Sequence, residues 1–278
     1  MYGWRSDMKY YQNLHTHTVY CDGKDTPEEL VLAAIAEGFD SIGFSAHAPM
    51  TYSSYPLSEE RTAACFAEVT RLKELYRDRI DIRLGIEADL YITADLFAYE
   101  YVIGTVHYIL KDGVYLALDR SKELFSKLLH ESFGDDGMAL AKAYYRCVSE
   151  LPDRIRTDIV GHFDLVTKWC EYIPYLDLDS EEYLDLAREA IDSLVSRVPV
   201  FEVNTGAISR GYRTAPYPSL SVLREMKKAG VHLVLSSDCH DKRHLSTGFD
   251  QALALIRAAG FRELYRLTDK GFVASPLD

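Results

Sequence analysis

The chain has 278 residues, 31 of them basic and 43 acidic, for a formal net charge of −12, and 47% are hydrophobic. That length suits one large α/β domain with a substantial core, and with no Ser/Gly/Pro-rich linker the chain reads as a single domain over residues 1–278; the acidic balance argues against nucleic acid or an anionic membrane as the main partner. No apolar run approaches the roughly 20 residues needed to span a bilayer, residues 1–8 lack the apolar core of a signal peptide, and five widely spread cysteines without a C-x-x-C pair support neither a zinc finger nor a disulfide framework, so the cytoplasm is the expected compartment.

Short β-branched and apolar runs alternate with longer amphipathic stretches, the pattern of parallel strands joined by crossover helices. The first strand is predicted at Tyr10–Leu14 and leads into Leu14-His15-Thr16-His17, then the Asp22-Gly23 turn. A helix follows, with Thr26 as N-cap, Pro27 in its first turn and Gly38 as its stop. The second strand, Ser41–Ser45, precedes His47, and a helix opened by Ser58 runs to about Tyr76. The third strand, Asp81–Ile86, precedes Glu87, and the fourth, Tyr101–Val106, precedes His107. An insertion over about 110–152 is expected to be helical, with two helices between Lys122 and Leu151 broken at Gly134-Asp135-Asp136-Gly137. The fifth strand, Thr157–Val160, precedes His162; Ser180 opens a helix over Glu181–Val195; the sixth strand is Pro199–Val203. Ser219 opens Leu220–Ala229, which stops at Gly230, and the seventh strand, Val231–Leu235, leads to Asp238 and His240.

In an extended chain residues i and i+2 face one side. His15 with His17, and Asp238 with His240, therefore each present two metal-capable groups together, while Thr16 and Cys239 face the opposite way. Taken alone, each of these residues has a bland explanation: a histidine after an apolar run usually satisfies the core, Glu87 could pair a buried Arg, and Asp22 could be an Asx-turn residue. Their joint placement carries the argument. Six of the nine histidines fall at the C-terminal ends of predicted strands, which converge on one face in parallel α/β folds and barrels. Imidazole and carboxylate ligands suit Zn²⁺, Mn²⁺ or Fe²⁺, and nine candidates (His15, His17, Asp22, His47, Glu87, His107, His162, Asp238 and His240) predict two or three divalent ions.

The succession H-T-H, D-G, F-S-A-H-A-P, G-I-E-A-D, I-G-T-V-H-Y-I, V-G-H-F-D and S-S-D-C-H resembles the PHP (polymerase and histidinol phosphatase) family over nearly the whole chain. The F-S-A-H-A-P form, the long insertion after Ile103–Ile109 and the segment from Asn204 to Pro218 are most similar to its histidinol-phosphate phosphatase branch. The resemblance implies a distorted seven-stranded (β/α)7 TIM-like barrel with the metal site at the C-terminal strand ends. It implies one ion held by His15, His17, Glu87 and Asp238, a second by Glu87 as bridge with His47 and Asp22, and a third by His107, His162 and His240. Many relatives carry His where this chain has Asp22.

The implied activity is hydrolysis of L-histidinol phosphate to L-histidinol and phosphate, a step of histidine biosynthesis. Clustered ions lower the pKa of bound water to about 7 and neutralise phosphoryl charge, so no protein nucleophile is needed, and Ser209, Ser236 and Cys239 are not read as covalent catalysts. Arg210, in the loop after the sixth strand, is expected to contact the phosphate, with Arg213 and Lys168 as further candidates. Asp119 is the candidate acceptor for the substrate amine; its competing role is N-cap of the helix beginning near Ser121. Most of the twenty tyrosines read as packing residues; Tyr108, Tyr115 and Tyr217, near predicted strand ends or the insertion, are the candidates from which a few would line a pocket for an imidazole ring. Two other readings stay open: a phosphoesterase acting on another small phosphomonoester, a nucleotide end or protein phosphotyrosine, and a metal-stabilised binding module without turnover.

Overall fold

A computed structural model describes residues 12–52 and 58–277. The strands are β1 (Gln12–Asn13), β2 (Ser41–Phe44), β3 (Asp81–Asp89), β4 (Tyr101–Thr105), β5 (Tyr108–Lys111), β6 (Val114–Ala117), β7 (Ile159–Val160), β8 (Val200–Asn204), β9 (His232–Ser236), β10 (Glu263–Thr268) and β11 (Gly271–Pro276). The α-helices are α1 (Pro27–Glu37), α2 (Glu59–Tyr76), α3 (Lys122–Phe133), α4 (Gly137–Ser149), α5 (Leu151–Arg154), α6 (Glu181–Leu194), α7 (Gly206–Ser209), α8 (Leu220–Ala229) and α9 (Phe249–Ala258). Seven strands pair in parallel in the order β1-β2-β3-β4-β7-β8-β9, each beginning within two residues of its expected position; Tyr10 and Tyr11 of the first expected strand lie outside the described residues.

The two ends of this sheet meet in different ways at the top and bottom of the barrel. At the C-terminal strand ends Thr16 bridges Cys239 in parallel, with His17 N donating to Cys239 O at 2.8 Å and Cys239 N to His15 O at 3.1 Å. At the opposite end the Gln12 side chain takes over from backbone pairing. Its Nε2 donates to Leu267 O at 3.0 Å and its Oε1 accepts from Leu267 N at 2.8 Å, so the primary amide stands in for a peptide unit between β1 and β10. The antiparallel pair β10–β11 thereby packs under the barrel beside β9.

Leu14, Tyr101, Ile103, Ile159, Val200 and Val234 fill the barrel interior, and a larger apolar layer packs between strands and helices. Tyr101 is fully buried and its hydroxyl donates to Leu14 O. A Cβ on Gly43 or Gly85 would stand 2.1 Å from Tyr101 atoms, so the two glycines make room for the ring in the strands that flank it. Helix starts follow their capping residues: Thr26 forms a capping box with Glu29, and Ser58, Ser121, Asp136, Ser180 and Ser219 each accept a hydrogen bond from the first turn.

Two features depart from expectation. The third strand continues past Ile86 to Asp89, because Gly85–Asp89 pairs with Tyr101–Thr105, which places Glu87 within a strand rather than after one. The insertion also opens with a β-hairpin, β5–β6, before its helices. Asp112 (φ 51°) and Gly113 (φ 79°) make its turn, as an Asp-Gly pair between short strands favours.

Candidate metal centre

Parallel pairing sets the site. His47 bridges Glu87 across the extension of β2 and β3, and the Thr16–Cys239 bridge brings the segments after β1 and β9 together. Asp238 adopts φ 48°, a left-handed conformation that Asp tolerates better than most residues. His15, His17, Glu87, His107, His162 and Asp238 are all buried.

Glu87 stands at the middle, 2% exposed. Its Oε1 lies 3.1 Å from His162 Nε2 and 3.3 Å from His107 Nε2. Its Oε2 lies 3.4 Å from His15 Nε2, 3.5 Å from His17 Nε2 and 2.8 Å from His47 Nδ1, the last outside hydrogen-bond geometry. Asp238 Oδ1 completes this side at 3.2 Å from His17 Nε2 and 3.7 Å from His15 Nε2. Three groups of possible ligand atoms, each within 4.8 Å of one another, result: His15, His17 and Glu87; Glu87, His107 and His162; and His17, Asp22, His47 and His240.

That third group corrects the expected sorting. His240 does not join His107 and His162; its Nε2 lies 3.1 Å from Asp22 Oδ2, and His47 Nε2 lies 3.6 Å from the same oxygen. Barrel closure is the reason, since the end of β9 adjoins the end of β1, whereas His107 and His162 follow the neighbouring strands β4 and β7.

The donor set fits divalent cations on its own chemistry. His15 Nε2, His17 Nε2 and Glu87 Oε2 are buried, face one centre and have no hydrogen-bond partner, a state that costs about 1–3 kcal/mol per group when nothing satisfies it. Charge tells the same story. Burial opposes an imidazolium at His15, yet the Glu202, Glu87 and Asp238 carboxylates outweigh it and push the pKa up to about 10. Burial likewise opposes charge at His17, where Cys21, Asp22 and Asp238 drive the pKa well up, and at His47, where Glu87 does so. Glu87 and Asp238 are held well below the usual carboxylate range: burial works the other way but is outweighed by His47 and His15 at the first and by Arg210 and His15 at the second. A pocket that attracts protons this strongly attracts cations.

Of the candidate ligands, Asp22, His47, Glu87, His107, Asp238 and His240 line a cleft of about 450 Å³ whose outer wall includes Met50, Tyr108, Asp119, Arg120, Leu124, Lys168, Arg210 and Tyr212. Arg210 Nη2 pairs with Asp238 Oδ2 at 2.8 Å, and Nη1 donates to Asp238 O at 2.9 Å. Lys168 Nζ donates to Asp119 O at 2.8 Å and sits 4.4 Å over the Tyr212 ring. Asp119 is not an N-cap: Ser121 takes that role for α3, leaving Asp119 in the cleft wall.

Arg213 is elsewhere. Buried, it donates from Nη1 to Thr167 Oγ1 at 2.7 Å and lies 4.6 Å over the Tyr217 ring, outside the cleft lining. Tyr217 is likewise buried behind His162, and Tyr115 stacks on Tyr52 at 4.3 Å. Cys239 is buried and donates to Asp241 O. Two buried carboxylates behind the ligands escaped sequence reasoning. Asp89 accepts from His107 N at 2.7 Å and from the Tyr52 hydroxyl at 2.7 Å, and Glu202 lies 2.7 Å from His15 Nδ1.

The PHP domain family model matches residues 13–206. A Schizosaccharomyces pombe protein named "Probable histidinol-phosphatase" is 28% identical over 90% of this chain and 87% of its own length. The histidinol-phosphatase of Bacillus subtilis is 27% identical over 86% of this chain and 97% of its own length. Among solved structures, the histidinol phosphate phosphatase of Lactococcus lactis, complexed with zinc, L-histidinol and phosphate, superimposes with a TM-score of 0.69 at 20% identity, covering 95% of this chain and 98% of that one; this likeness is one of fold.

Proposed function

The chain belongs to the PHP domain family, and from that premise we propose that it is a metal-dependent phosphomonoesterase that hydrolyses L-histidinol phosphate to L-histidinol and phosphate in the cytoplasm. The observation that carries this reading is the meeting of buried ligand-type atoms without partners, at His15, His17 and Glu87, with a cleft that Glu87 lines and whose wall holds three cations, Arg120, Lys168 and Arg210. The activity for which the relatives are named supplies the substrate.

Two or three divalent ions, zinc, manganese or iron, would be held by His15, His17, Glu87 and Asp238, by Glu87, His107 and His162, and by Asp22, His47 and His240. Such ions, when bound, make water a competent nucleophile at neutral pH and offset charge on phosphoryl oxygens. The protein supplies the rest. Arg210 presents a guanidinium that stays charged, since burial opposes its charge but Asp238 outweighs it, and Lys168 adds a second cation for the phosphate. Asp119 remains ionised because Lys168, His107 and His162 outweigh its burial, and its carboxylate is the acceptor for the substrate amine. The imidazole of the substrate would lie toward Met50, Leu124 and Tyr212.

The test is turnover by zinc- or manganese-loaded protein on histidinol phosphate and on a simple alkyl phosphate. An acceptor built for an amine is left unpaired by an analogue lacking one, so histidinol phosphate should be preferred by orders of magnitude in kcat/KM, and Asp119→Asn should narrow the gap. Equal efficiency on the two would replace this reading with a broad-specificity phosphatase.

A further inference from the structure

Glu202 lies in β8 on the inner side of the barrel, fully buried, away from the cleft. Its two oxygens serve two different ligand groups. Oε1 lies 2.7 Å from His15 Nδ1, whereas Oε2 accepts from the His162 backbone N–H at 2.9 Å and from Asn204 Nδ2 at 2.9 Å. A carboxylate placed this deeply is tolerated when its lone pairs are used, and here each oxygen has a partner.

A carboxylate at Nδ1 keeps a proton on that nitrogen, so that Nε2, the nitrogen facing Glu87, is the one left for an ion. The same side chain holds the main chain from which His162 projects toward the other oxygen of Glu87. We propose that Glu202 is a positioning residue that fixes the tautomer of His15 and ties it to His162, so that the two ligand groups sharing Glu87 are set as one unit. The inference rests on the metal-centre reading above. Glu202 makes no hydrogen bond to His17, Asp22, His47 or His240 among the described residues, and that third group therefore serves as an internal control.

Glu202→Gln keeps the shape of the side chain and removes its charge. Competition between the folded variant and a chromophoric chelator for zinc should show affinity lowered about 10–100-fold for the zinc equivalents bound by the two groups that share Glu87, with the affinity of a remaining equivalent unchanged. Wild-type affinity throughout, or an equal loss for every equivalent, would overturn the proposal. A second measurement needs no variant at Glu202: in zinc-loaded wild-type protein labelled with ¹⁵N-histidine, the resonance pair that His15→Asn removes should carry its proton on Nδ1 and its metal on Nε2. The reverse tautomer would overturn the proposal even if Glu202→Gln did not fold. A wild-type chain that took up no zinc in the same titration would instead remove the metal-centre reading itself.

Discussion

Arg210 holds Asp238 through both a side-chain and a backbone oxygen while it faces the cleft, and Gly206 leaves it the space, since a Cβ there would stand 2.8 Å from Arg210 Nη2. Arg210→Ala should therefore lower kcat/KM by roughly 30- to 1000-fold and also weaken metal retention, measured as metal per chain after dialysis; a residue that touched substrate alone would leave metal content intact. Lys168 is the more pH-sensitive of the two cations. Burial lowers its pKa, against the opposing pull of Asp119, so it loses charge below the ordinary lysine value of about 10.4. KM for a phosphomonoester should rise along an alkaline limb as that charge is lost, and Lys168→Arg should carry the limb out of the measurable range; an unchanged limb would exclude Lys168. The grouping of the candidate ligands was legible in part because imidazoles and carboxylates recur at strand ends in the sequence, H-x-H and D-x-H above all. Glu202 was not, because F-E-V-N reads as an ordinary strand and its partner His15 is 187 residues away. The sorting of His240 was hidden for the same reason: it depends on which strand ends adjoin, not on any local spacing.

At the level of the element, helices were readable from their punctuation. Thr26, Ser58, Ser180 and Ser219 all cap where expected, and Thr26→Ala should cost about 1 kcal/mol, seen as a shift in the denaturant midpoint. The strands were readable from β-branched runs, but the hairpins were not: Val114–Ala117 alternates weakly and is largely exposed, and the buried residues of β10, Leu264 and Leu267, stand three apart rather than two, without the alternation of a half-buried strand. Tyr101 and its glycines test the barrel interior. Gly85→Ala would set a methyl 2.1 Å from the ring, and overpacking of this kind costs about 1–3 kcal/mol. In a Tyr101→Leu background the same change should cost distinctly less, a non-additivity that a double-mutant cycle reads directly; full additivity would mean that the ring and the glycine do not constrain one another.

Across the molecule, the stability lent by protons and the stability lent by metals should change with pH in opposite directions. Without bound ions the carboxylates around His15 outweigh its burial and push its pKa up to about 10 in the fold, against about 6.5 when unfolded. Its contribution is present in full below about 6.5 and is lost as pH rises towards 10; His17 and His47 shift the same way. In loaded protein the ions compete with protons for these nitrogens, so ion binding and the stability it lends increase over the same interval. Melting temperatures with and without chelator should therefore diverge as pH rises from 6.5 to 10, and parallel curves would contradict the shared role of these imidazoles. The closure of the barrel has one more consequence, for the order in which a chain is made. Asp22 and His240 meet across 218 residues, and the strand that brings Asp238 into place is the last of the seven to be synthesised. A ribosome-bound chain that has not yet reached β9 lacks both Asp238 and His240, so the grouping of Asp22, His47 and His240 can be completed only after the last strand of the barrel has been made, later than the groupings around Glu87.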